Sequence, residues 1–197
     1  MRKLRFFQHV SLDGVIQVSR DPGDASDFLY SDWTKPYRTP AGFAYVLEAQ
    51  GERFDLLLGR RTYDIWSGFW PQAPQSPMSD RLNGATKYVA THRPESLSWG
   101  PAQGVGPDLV ESVRQIKATS GPDVLLWGSS TLTSTLLEHG LVDEVMLFVY
   151  PVMLGQGKRL FAEGTPARTL SLMESKSLPS GIVICQYQVA GAIPAVN

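Results

Sequence analysis

Twice in this chain a short apolar run ends in glycine and passes at once into residues able to start a helix: Leu56-Leu57-Leu58-Gly59-Arg60-Arg61-Thr62 and Leu125-Leu126-Trp127-Gly128-Ser129-Ser130-Thr131. Each run is too short for a helix and lacks polar alternation, so it reads as a strand covered on both faces. Strand, glycine turn and helix together form the unit of a parallel sheet flanked by helices. In such sheets these turns lie at the carboxyl ends of strands, where helix amino termini offer unpaired N–H groups to anions. The chemistry is expected there.

The remaining elements fit this frame. Leu4 to Val10 predicts a first strand, and Asp13-Gly14 a bend after it. Residues 19 to 40 form an irregular loop carrying Phe28, Tyr30, Trp33 and Tyr37, too aromatic for a solvent linker and so expected to wall a pocket. Thr39-Pro40 predicts a helix start, with Phe43, Val46 and Leu47 on one face until Gly51. Phe54 to Leu58 is a strand, Arg61 to Trp66 a short helix, and Ser79 to Leu82 a helical turn closed by Asn83-Gly84. Lys87 to Thr91 is a strand and Trp99 to Pro107 a surface loop. Leu109, Val110, Val113 and Ile116 mark a helix. Val124 to Trp127 is a strand, and a helix capped by Ser129 or Ser130 turns Leu132, Leu136 and Leu137 inward and stops at Gly140. Val145 to Tyr150 is a strand. Thr169 to Met173 and Ile182 to Val189, separated by Pro179-Ser180-Gly181, predict an antiparallel ribbon at the sheet edge.

Composition narrows the function classes. The 197 residues are 43% hydrophobic, enough for one substantial domain spanning 1–197. A net charge of −1 argues against a nucleic-acid surface. The lone cysteine, Cys185, excludes an internal disulfide and a multi-cysteine metal site, reads as a buried strand thiol and suits the cytoplasm. No run is long enough to span a membrane, and Gln8 and His9 interrupt the first apolar run too early for a signal core. His92 and His139 suggest no metal. The three-glycine dinucleotide fingerprint is absent, and Gly157-Lys158 is followed by Arg159 where a kinase phosphate loop needs Ser or Thr. No Gly-x-Ser-x-Gly elbow supports a hydrolase.

The chain carries, in this order, Ser11-Leu12-Asp13-Gly14, Leu58-Gly59-Arg60-Arg61-Thr62, Thr91-His92-Arg93, Gly128-Ser129-Ser130, and Gly140-Leu141-Val142-Asp143-Glu144 leading to Pro151-Val152-Met153-Leu154-Gly155-Gln156-Gly157. Together these motifs resemble the dihydrofolate reductase-like proteins, and most closely the reductase domain of bacterial riboflavin-biosynthesis deaminase-reductases. The resemblance covers nearly the whole chain. It implies a three-layer α/β fold, mostly parallel with an antiparallel C-terminal edge, binding NADPH. The cofactor would lie against Gly59, Arg60, Arg61, Thr62, Thr91, His92, Arg93, Gly128, Ser129, Ser130 and Thr131. The arginines suit the adenosine 2′-phosphate, because guanidinium pairs charge with forked donors.

Asp13 is the catalytic candidate, orienting a polar substrate or helping to deliver a proton. Trp33, Tyr37 and Trp70 would wall a planar substrate. The implied activity is an NADPH-dependent reductase passing a hydride to a small heterocyclic or carbonyl substrate, as in 5-amino-6-(5-phosphoribosylamino)uracil reductase or dihydrofolate reductase. The alternative is a non-catalytic nucleotide- or ligand-binding protein on the same scaffold. Similar proteins are often dimers, which implies a homodimer. The chain departs from the riboflavin enzymes in having Ser129 and Ser130 where they carry more glycine. One cysteine also leaves no room for their zinc deaminase domain.

Overall fold

The computed structural model describes residues 1–18, 28–161 and 163–193. The first part of the aromatic loop, residues 19–27, lies outside the described residues.

Six strands run parallel. In sequence they are β1 (Leu4–Ser11), β2 (Asp55–Gly59), β3 (Lys87–Ala90), β4 (Ala102–Val105), β5 (Val124–Trp127) and β6 (Glu144–Tyr150). Two more, β7 (Thr169–Ser177) and β8 (Val183–Gly191), form the predicted antiparallel ribbon, and β8 pairs antiparallel with β6. The order across the sheet is β4-β3-β2-β5-β1-β6-β8-β7. Leu56, Leu57, Leu58, Leu125 and Leu126 are all fully buried. Each such leucine contributes roughly 1.5–3 kcal/mol, which is why the central strands read as unbroken apolar runs.

Strand alternation divides the core in two. Phe7, Leu56, Leu58, Leu125, Trp127 and Phe148 face one side. There they meet α1 (Pro40–Gln50), α2 (Arg60–Ser67) and α3 (Pro77–Gly84). Leu4, Phe6, Leu57, Val124, Leu126 and Val145 face the other. They pack under α4 (Leu109–Ala118) and α5 (Ser130–Glu138). The Thr39 hydroxyl accepts the Gly42 amide to start α1, as its sequence predicts. Gly140, at φ +63, ends the turn after α5, where the Leu141 amide reaches back to the Leu136 carbonyl at 2.9 Å.

Four expectations need correction. The loop expected at 99–107 contains β4, because an edge strand needs only backbone partners and Gln103 and Gly104 carry no apolar alternation. The turn expected at 79–82 is a full helix started earlier, at Ser76, by reciprocal hydrogen bonds with Ser79. Phe43 is 46% exposed, since α1 packs through Tyr45, Val46, Leu47 and Ala49 instead. Cys185 is half-buried, because β8 lies next to the uncovered edge strand β7.

Candidate active site

The glycine junctions converge. At the start of α5, Gly128 and Ser129 both take positive φ, +66° and +60°, and Ser129 makes no side-chain cap. Its hydroxyl instead accepts the Gly59 amide at 2.9 Å, joining the β5 and β2 junctions. A Cβ on Gly59 would sit 2.0 Å from that oxygen, so the approach requires glycine. A Cβ on Gly128 would come within 3.1 Å of the Thr62 hydroxyl. The helix α2 also begins without a side-chain cap, so among the described residues no side chain caps the start of either helix, the position that favours an anion.

Arg60 ties in the third junction. Its Nε donates to the Asp64 carboxylate, and its Nη1 donates to the Thr91 hydroxyl, the Arg93 carbonyl and, at 2.6 Å, the Ser96 hydroxyl. Arg60 is therefore a strut of the wall. The side chains of His92 and Arg93 are exposed and have no partner among the described residues. Arg61 is exposed beside Lys158, whose ammonium is pushed down first by burial and then by the Arg61 charge. Ser130 is buried and Thr131 exposed. The structure thus brings Gly59, Arg60, Thr62, Thr91, Arg93, Gly128 and Ser129 of the predicted set together, with Lys158, part of the rejected phosphate-loop reading, near Arg61.

Asp13 lies in the turn after β1. Its carboxylate accepts the Ser11 hydroxyl at 2.6 Å, the Gly155 amide at 2.8 Å and the Leu154 amide at 3.2 Å. The Ser11 bond, helped by the two amides, lowers its pKa to about 2. Asp13 is ionised at neutral pH and pins the loop after β6 to the turn after β1.

Aromatic residues from separate elements meet beside it. Trp33 and Tyr37 both meet Tyr150 in T-shaped contacts, with ring centres 5.1 and 5.6 Å away. Tyr150 meets His9, His9 meets Trp127, and Trp127 meets Trp66, which packs on Trp70. The predicted wall residues are therefore two ends of one aromatic chain. Its middle, His9, Trp66, Trp127 and Tyr150, was missed. Strand spacing held the signal: Phe7 and His9, and Phe148 and Tyr150, each share a strand face.

His9 sits at a notch in the sheet. The pairing of β1 with β5 stops at Phe7 and Trp127, whereas β1 and β6 stay paired as far as Ser11 and Tyr150. Past the end of β5 the two sides of the sheet separate, and ligands of open α/β folds bind at such crevices. Among the described residues no cluster of three or more His, Cys, Asp and Glu could hold a metal. No helix there is long and apolar enough to cross a membrane.

A family described as the RibD C-terminal domain matches residues 2–184. The YyaP protein of Bacillus subtilis is 29% identical over 140 residues, covering 69% of this chain and 74% of YyaP. Among solved structures, a Shewanella sp. PV-4 protein named for riboflavin biosynthesis superposes with a TM-score of 0.71 at 20% identity, covering 95% of this chain and 98% of that one. A Thermotoga maritima diaminohydroxyphosphoribosylaminopyrimidine deaminase/5-amino-6-(5-phosphoribosylamino)uracil reductase gives 0.65 at 16% identity, covering 96% of this chain and 57% of that one. At these identities the structures establish the shared fold, a mostly parallel sheet with an antiparallel edge.

Proposed function

The chain belongs to the RibD C-terminal domain family, a reductase-type family, and on that premise we propose that it is an NADPH-dependent reductase acting on a small heterocyclic or carbonyl substrate. The observation that carries this reading is the joining of the three strand ends by Ser129 and Arg60 into one continuous wall beside two helix starts that have no side-chain cap. The open amides of α2 and α5 suit a pyrophosphate, and Arg93 and His92, beside the Arg60 strut, suit a 2′-phosphate. When bound, NADPH supplies the hydride.

The chain's own residues do the rest. Asp13, being ionised, holds the loop at Leu154 and Gly155 in place and orients the substrate side, a role that leaves proton delivery to another source. Trp33, Tyr37 and Trp70 enclose a planar substrate at the strand ends. A ribosylaminopyrimidine of the type named for the Thermotoga enzyme is one substrate of suitable chemistry.

Titration with NADPH and NADH, followed by acceptor-dependent oxidation, tests the reading. Arg93→Ala is expected to weaken NADPH about tenfold while leaving NADH unchanged, the size of one charged hydrogen bond. Equal losses for both would show that Arg93 does not read the extra phosphate. Saturable binding with no oxidation by pterin, flavin-precursor or quinone acceptors would favour the non-catalytic alternative.

A further inference from the structure

We propose that His9, held by Tyr150, is the residue that touches the reducible group of the substrate, donating a neutral Nε2–H hydrogen bond to its carbonyl oxygen or imine nitrogen. The inference rests on the reductase reading of this site. The geometry is specific. The Tyr150 hydroxyl lies 3.0 Å from His9 Nδ1, and Tyr150 is 4% exposed. No other partner of that hydroxyl exists among the described residues, so the bond that leaves no buried hydrogen unsatisfied runs from the Tyr150 O–H to Nδ1. That fixes the proton of the imidazole on Nε2, which has no partner among the described residues.

The surroundings keep the pair uncharged. Burial, helped by the Arg38 charge, lowers the His9 pKa to about 4, and burial pushes Tyr150 up to about 12. Beside the imidazole, with ring centres 5.5 Å apart, lies Trp127, 7% exposed, whose buried Nε1–H has no acceptor among the described residues. The notch thus presents one neutral donor, the His9 Nε2–H, among flat rings. Such a surface recognises a planar conjugated acceptor and not a charged one.

In the step itself the carbon of the C=O or C=N bond accepts a hydride while the cofactor is oxidised to NADP⁺. The π electrons move onto the oxygen or nitrogen, where the His9 N–H stabilises the developing charge, and that atom then takes a proton from solvent. His9 keeps its own proton. Tyr150 is a positioning residue.

Two measurements test this. In protein carrying ¹⁵N-histidine, with His9→Gln assigning the signal among the three histidines, His9 is expected as the Nε2–H tautomer at neutral pH. Tyr150→Phe should shift it toward a mixture of tautomers. A dominant Nδ1–H form in the wild type overturns the proposal without bearing on the reductase reading. With NADPH and either 7,8-dihydrobiopterin or menadione, His9→Phe should lower kcat at least tenfold while the NADPH dissociation constant stays within twofold. His9→Gln should recover part of the loss, because its amide also donates. Unchanged kcat in His9→Phe overturns the proposal. If neither probe is reduced by the wild type, the reductase reading fails; pterin quenching of tryptophan fluorescence then decides the His9 contact, and equal quenching in wild type and His9→Phe overturns it.

Discussion

The two ends of the sheet treat their polar groups in opposite ways. At the amino ends of the strands the buried charges are spent. Arg2, 5% exposed, donates to the Pro122 carbonyl, Tyr88, Thr119 and Asp55. Lys117, 4% exposed, donates to the Leu141 carbonyl and Asp143. Burial alone would raise the Glu144 carboxyl, but Lys3 and Arg5, at 2.7 and 3.1 Å, hold it below its usual range. A recess of about 850 Å³ opens at this end, yet the Arg2 and Asp55 charges in its lining are already paired with each other. At the carboxyl ends α2 and α5 start without a side-chain cap, and among the described residues the side chains of His92 and Arg93 and the buried Trp127 Nε1 have no partner. The candidate site is therefore marked by uncapped helix starts and buried unpaired groups at the strand ends, and not by volume.

Breaking the paired end should cost the most stability. Asp55→Ala leaves the buried Arg2 guanidinium without its counter-charge, an expected loss of about 3–5 kcal/mol in urea denaturation with NADPH binding by the folded protein unchanged. A loss below about 1 kcal/mol would show that the amino end is no better satisfied than the other. The open end should respond in the reverse sense. Gly59→Ala forces apart the contact with Ser129, costing about 1–3 kcal/mol of stability and also weakening NADPH. Intact NADPH affinity in that variant would separate the junction from the cofactor.

The smallest effect falls at Asp13, where the open end is pinned. Its folded pKa of about 2 lies below the unfolded value of about 3.9, so its contribution is complete above pH 4 and is lost as pH falls toward 2. Solvent screening keeps that contribution below about 1 kcal/mol. Asp13→Asn should flatten this part of the acid-stability curve, and an unchanged curve would free Asp13 from the loop-pinning role. Circular dichroism between pH 5 and pH 2 reads the difference.

Much of the fold was legible because the central strands are buried on both faces. Leu56 to Leu58 and Val124 to Trp127 cannot be exposed, and the glycine after each can only turn the chain. β4 escaped because its middle residues, Gln103 and Gly104, are exposed and carry no apolar pattern. The candidate site was half legible. Gly59, Arg60, Thr91, Arg93 and Ser129 stand out by residue type, but the contacts each makes in the fold do not. Arg60 has the chemistry of a phosphate ligand and serves as a strut, and Ser129 has the chemistry of a helix cap and serves as a bridge to Gly59. A local pattern cannot tell which neighbour from another strand will claim a donor first.

His9 and Tyr150 are the clearest case. They stand 141 positions apart and meet only because β1 and β6 are adjacent in register. The sequence by itself determined the parallel sheet, the glycine junctions and the antiparallel edge, since periodicity and turn chemistry act over a few residues. Only the tertiary structure decided which donors stay open, because that depends on where β5 stops and on which distant side chains satisfy one another first.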